Sequence, residues 1–249
     1  MADDEKQKER AAIVRAGNRG LTTRSATLVL RGLNSLPLAK PRVLQFPKDR
    51  SMGKLFVYHE NNCVELIEAR GEITVGSEFS LSLRVSADEA DLSPLAEMGS
   101  NNLQELDLSA PHVSDLDMKY IENLVGLTEL NLSRRRVTDT GLMHISEMAK
   151  LRKLDLFGTF ALSLSYLKKM AKLEDLNLKY CDVTDDGLSN IQHISSLREL
   201  NLGGTPITDR GLEYLRSLTS LSRLVIRETN TTPEGIALLR NALPDCSIV

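Results

Sequence analysis

The sequence predicts an α/β solenoid in which short parallel strands alternate with short helices around one elongated core, preceded by a β-rich segment. Three observations predict it. A triplet of leucine-type residues recurs six times at nearly constant spacing. Within each copy the hydrophobic period changes from that of a strand to that of a helix. Leucine is the largest part of the hydrophobic share, which is 41% of 249 residues, while aromatics make up only 4%, as a repetitive core would require.

The triplets are Leu103/Leu106/Leu108, Leu127/Leu130/Leu132, Leu151/Leu154/Leu156, Leu173/Leu176/Leu178, Leu197/Leu200/Leu202 and Leu221/Leu224/Ile226, with first-leucine spacings of 24, 24, 22, 24 and 24. Such a period marks a repeat architecture in which no unit can bury its apolar face alone. Alternation through a stretch such as Glu105 to Ser109 turns Leu106 and Leu108 inward and leaves Glu105, Asp107 and Ser109 outward, which predicts one short parallel strand per repeat. Downstream, Leu142/Ile145/Met148 and Leu212/Leu215/Leu218 fall on one helical face.

Between strand and helix lies Val137-Thr138-Asp139-Thr140-Gly141-Leu142, repeated from Val183 and from Ile207. A row of carboxylates invites a metal or acid-base reading. The last copy, Thr232-Pro233-Glu234-Gly235-Ile236, argues instead for capping, because proline favours the first helical position and makes Thr232 the N-cap. By register Thr138, Thr184 and Thr208 cap their own helices, with the aspartates in the first turn where the helix dipole favours an anion. Metal ligands would have to converge, whereas these carboxylates belong to separate layers. The column Thr159, Cys181, Thr205 and Thr229 is expected to turn inward and hydrogen-bond the neighbouring coil.

These residues resemble the leucine-rich repeats that carry an Ile/Val-Thr-Asp-x-Gly-Leu segment, found in bacterial repeat proteins and, with Cys181 in the column, in cysteine-containing F-box-type repeats. The resemblance implies a right-handed horseshoe that binds another protein. Leu243/Cys246/Ile248 keep the triplet spacing and resemble the closing strand of such arrays.

Three regions follow. Residues 1–20 mix charges with few apolar groups and are expected to be a mobile charged tail. Residues 21–100 are expected to form a β-rich N-terminal cap and a degenerate first repeat, covering leucines that an end repeat would expose. Strands are predicted at Lys54 to Tyr58, Val64 to Glu68, Glu72 to Val75 and Phe79 to Val85, with a hairpin turn at Gly76-Ser77. Ser93 before Pro94 predicts an N-cap. Residues 101–249 are the solenoid of about six repeats with its closing strand.

The net charge of −3 gives no field to hold a nucleic acid, and the one basic triplet, Arg134 to Arg136, is a weak signal. No apolar run approaches the roughly 20 residues of a membrane span. Three widely spaced cysteines suit neither a disulfide framework nor a metal knuckle, and with no leader-like apolar segment they point to a cytoplasmic protein. Four scattered histidines make no triad or ligand set with them, so no metal, cofactor or catalysis is expected. A protein partner is expected on the concave face, at Glu105, Glu129, Lys153, Asp175, Glu199 and Arg223 in a first column and Asp107, Asn131, Asp155, Asn177 and Asn201 in a second. Phe157, Lys179, Tyr180, Arg134 and Arg227 join them, because aromatics beside arginine typify binding hot spots. Phe160 stands beside this group, with the competing reading that Phe157 and Phe160 fill space left by the 22-residue repeat. The alternatives are the substrate-recognition subunit of a ubiquitin ligase, which requires a helical segment where residues 25–70 alternate like strands, and an enzyme, for which no motif speaks.

Overall fold

The structure, a computed structural model, describes residues 28–30 and 41–249 apart from positions 61, 90 and 111. The expected tail at residues 1–20 lies outside the described residues.

Seven strands come from the repeats: β7 (Glu105–Asp107), β8 (Glu129–Asn131), β9 (Lys153–Asp155), β10 (Asp175–Asn177), β11 (Glu199–Asn201), β12 (Arg223–Val225) and the closing β13 (Ser247–Ile248). They pair in parallel with their central residues opposed, Leu106 to Leu130 to Leu154 to Leu176 to Leu200 to Leu224 to Ile248. The 22-residue repeat keeps this register, so its missing residues come out of the return segment. The triplet leucines are at most 5% exposed and form one continuous core. Each buries enough surface to contribute roughly 1.5 to 3 kcal/mol.

The preceding segment continues the sheet. Strands β3 (Gly53–His59), β4 (Asn62–Glu68) and β6 (Ser80–Val85) extend it in the order β7-β6-β3-β4, with β6 parallel to β7 and β3 antiparallel to both its neighbours. Leu81 and Leu83 are fully buried in the same core. A second, three-stranded sheet holds β1 (Leu28–Leu30), β5 (Glu72–Val75) and β2 (Arg42–Gln45) in the order β1-β5-β2. The Arg42 guanidinium joins the two sheets by donating to the carbonyls of Gly76, Phe79, Asn101 and Asn102.

Three expectations are corrected. Gly76-Ser77 is no hairpin turn, since β5 and β6 lie in different sheets. Ser93 is not the N-cap: Leu92 holds that position, and Asp91 Oδ1 accepts from the Ser93 N–H at 2.9 Å. The return segments are mostly single turns or 3-10 turns, and only Asp209–Leu215 and Pro233–Ala242 exceed one α-helical turn.

The threonine caps form as expected, with Thr138, Thr184, Thr208 and Thr232 each accepting a backbone N–H within its own first turn. The aspartates do more than meet a helix dipole. Asp185 accepts from both the N–H and the hydroxyl of Thr208, and Asp209 does the same for Thr232, at 2.6 to 2.8 Å. Each carboxylate also fills the space a side chain on the next repeat's glycine would need: a Cβ at Gly211 would lie 2.4 Å from Asp185 Oδ1. The Thr-Asp-x-Gly segment therefore locks one repeat to the next. In the short repeat the threonine is missing, and Asp139 takes the N–H groups of Leu162 and Ser163 instead.

Candidate functional site: the outward face of the sheet

Strand alternation sets the outward face in columns. In the first, Glu129, Lys153, Glu199 and Arg223 are exposed while Glu105 and Asp175 are half-buried. Lys153 Nζ lies 3.5 Å from Asp175 Oδ2. The Glu129 carboxyl is pushed above the ordinary glutamate range, first by partial desolvation and then by Glu105, with Lys153 opposing. Like charges on adjacent strands hold their protons more tightly.

The second column is engaged in the fold. The Oδ1 atoms of Asp107, Asn131, Asp155, Asn177 and Asn201 accept the N–H two residues ahead, at Ser109, Ser133, Phe157, Lys179 and Gly203, over 2.9 to 3.1 Å. These turns end each strand and explain why Asp or Asn recurs there. Their remaining polar atoms are what they can offer to another molecule. Between the two columns a shallow, open depression of about 280 Å³ crosses β9 to β12.

After the third column comes a residue with positive φ in five successive repeats: Arg134 (61°), Gly158 (64°), Tyr180 (57°), Gly204 (70°) and Glu228 (60°). The first four donate their N–H to the next repeat's carbonyl at Phe157, Lys179, Gly203 and Arg227, adding a rung beyond the strand ladder. Left-handed backbone costs an ordinary residue about 1 to 2 kcal/mol, which this rung helps to offset.

Here the predicted aromatic group assembles. The rings of Phe157 and Tyr180 meet edge to face with centroids 5.7 Å apart. The Arg134 guanidinium lies 5.3 Å from the Phe157 centroid and Lys179 Nζ 4.8 Å from that of Tyr180. Phe157 is half-buried and Tyr180 exposed. Phe160 does not join them. It sits at the next corner, bridged to Thr138 and 52% exposed, so it fills no gap. The buried aromatic of the short repeat is Tyr166. The arginine triplet likewise disperses: Arg135 Nε donates to Ser133 O, and Arg136 bridges Ser114. Arg223 and Arg227 are exposed at the far end of the face.

Reading the repeats alone missed the start of this face. Register carries the first column back through Ser82 to Phe56 and Leu66, and the second through Arg84 to Lys54 and Glu68. The alternation of Phe79 to Val85 was a usable signal for Ser82 and Arg84. Nothing in the sequence showed which strand would lie beside them.

Other candidate chemistry is dispersed. Cys181 is 2% exposed, its thiol donates to Leu156 O at 3.0 Å, and burial pushes its pKa up. In that column Cys181 and Thr159 meet across neighbouring coils, Sγ to Oγ1 at 3.6 Å, while the hydroxyls of Thr159, Thr205 and Thr229 each also donate to a carbonyl of their own coil. His144 pairs with Glu122 at 2.7 Å, His193 meets Lys168 O, and His59 stacks near Phe79. Among the described residues no three His, Cys, Asp or Glu side chains gather as metal ligands. No helix among them is long and apolar enough to cross a membrane.

A family model described as Leucine Rich repeat matches residues 169–191 and 193–215. An internalin (inlF) from Listeria monocytogenes is similar in structure, with a TM-score of 0.56 and 21% identity over 64% of this chain and 44% of its own. An internalin C2 (inlC2) from the same bacterium gives 0.53 and 23% over 64% of this chain and 66% of its own. The chain thus spans less than two thirds of either relative. No curated protein matches the sequence. The fold of this chain is that of a leucine-rich-repeat solenoid, which it shares with these internalins.

Proposed function

We propose that the chain is a protein-interaction module, acting as a scaffold, adaptor or inhibitor, and that a protein partner docks on the concave, outward face of the sheet around β8 to β10. The observation that carries this reading is the half-exposed cluster of Arg134, Phe157, Lys179 and Tyr180. Rigid aromatics with stacked cations supply large contact area at low entropic cost, which is why such groups dominate interface energetics. Glu105, Glu129 and Glu199 favour a partner with a basic patch, and Arg223 and Arg227 set its direction along the axis.

The core leucines and the Thr-Asp-x-Gly locks explain the fold without reference to a ligand, so the outward columns are the positions left to carry specificity. A reducing, cytoplasmic setting belongs to the same reading, on the odd number and wide spacing of Cys63, Cys181 and Cys246 in the sequence. The ligase-subunit alternative gains no support, because the described part of residues 25–70 is built of strands.

The test is to isolate the partner from the native cell and measure its affinity for Phe157→Ala and Tyr180→Ala. The expected result is a weakening of about tenfold or more with melting behaviour near wild type. Unchanged affinity in both folded variants removes the reading.

A further inference from the structure

The outward face does not stop at the first repeat. Phe56 and Tyr58 alternate with the buried Leu55 and Val57 on β3 and therefore stand outward, and Leu66 lies opposite Phe56 on β4. Leu66 is 53% exposed. The Arg84 guanidinium lies 5.4 Å from the Phe56 centroid and is tethered there by Asp107 at 3.1 Å. On the other side of the small Ser82 come Glu105 and Glu129, whose carboxylates make no hydrogen bond or ion pair among the described residues. An apolar shelf thus adjoins an acidic pair without a direct ion-pair partner among the described residues, on neighbouring strands of one sheet.

Two other occupants fit less well. A strand added to the free edge of β4 meets obstacles: Glu65 stands opposite the buried Val57, on the core side, and the register slips at Val57/Tyr58. Inward charges and bulges are the devices that block edge pairing. A second copy meeting this face symmetrically would bring acid against acid.

We infer, resting on the reading that the sheet face binds protein, that the binding face begins at this hairpin and takes an extended polypeptide segment carrying an aliphatic or aromatic residue at one end and lysine or arginine at the other. The apolar side chain packs on Phe56, Tyr58 and Leu66, and the cation meets Glu105 and Glu129. Crossing from Leu66 to Glu129 takes four strand spacings, about 19 Å, which an extended segment covers in about six residues.

The test uses the full chain and three short fluorescein-labelled peptides, alternating Lys-Phe, Lys-Ser and Glu-Phe, read by fluorescence anisotropy. The Lys-Phe peptide is expected to bind at least about tenfold more tightly than the others, and Leu66→Asp and Glu129→Gln each to weaken it about tenfold. Asn123→Ala, on the return side, is expected to leave it unchanged. Equal binding of Lys-Ser, unchanged affinity in both face variants, or no binding of Lys-Phe overturns the inference. So does a concentration-dependent dimer that Leu66→Asp abolishes, which would make the occupant a second copy. Loss of the Lys-Phe peptide on Phe157→Ala but not on Leu66→Asp would leave the repeat-face reading standing and remove only this extension.

Discussion

The Tyr180 hydroxyl donates to Glu228 Oε2 at 3.1 Å, two repeats along the solenoid, with its ring laid across Gly204 between them. Tyr180, Gly204 and Glu228 all occupy the positive-φ corner, so one side chain spans three successive layers. A Cβ on Gly204 would lie 2.2 Å from Tyr180 Cδ1. Gly204→Ala should therefore cost the left-handed penalty of about 1 to 2 kcal/mol together with a steric cost from the ring. Adding Tyr180→Ala should recover the steric part alone. Urea unfolding of both single variants and the double decides, and strictly additive losses would disprove the contact.

Core truncation should dwarf surface truncation. Leu176 is fully buried between Leu154 and Leu200, so Leu176→Ala should lose about 2 to 5 kcal/mol. Leu66→Ala, at an exposed position, should stay within about 0.5 kcal/mol of wild type in the same denaturation assay.

The inter-repeat locks should make stability depend on acid. Thr232, through its hydroxyl first and then its N–H, holds the Asp209 carboxyl below its ordinary value of 3.8. The folded chain then binds this proton more weakly than the unfolded chain does. The resulting stability is complete above the ordinary aspartate value and is lost as the pH falls through the depressed one. Melting scans from neutral pH down to about pH 3 should show a smaller acid-induced drop for Asp209→Ala than for wild type. Parallel curves would count against the lock.

Tyr166 is 2% exposed, and its hydroxyl finds no hydrogen-bond partner among the described residues. A buried, unpaired hydroxyl costs about 1 to 3 kcal/mol. Tyr166→Phe should therefore raise the melting temperature. A drop would mean that the hydroxyl is satisfied in solution.

Thiol reactivity should follow exposure. Cys63 is exposed, Cys246 intermediate and Cys181 buried, with burial raising the pKa of the latter two. Native alkylation followed by mass spectrometry should label Cys63 first and Cys181 last, with Cys181 released on unfolding.

Sequence legibility tracks the range of the interactions involved. The threonine caps at Thr184 and Thr208 were readable because a cap is a local contact and Pro233 in the last copy betrayed the position. The role of Asp185 in bonding Thr208 joins residues 23 apart, and only the recurrence of both residues hinted at it. The meeting of Phe157 and Tyr180 could be expected because one repeat separates them in register. Phe160 could not be placed the same way, since three residues further on the chain has turned the corner.

By itself the amino-acid sequence determined the solenoid, its strand register and the inward leucines, because a repeated triplet leaves one way for each coil to bury its apolar edge against the next. It also determined which side chains alternate outward. Tertiary structure alone decided that β3 and β4 prolong the sheet while β2 and β5 leave it, and that Tyr180 reaches Glu228. Those contacts depend on how distant segments pack, and no periodicity in this chain encodes that.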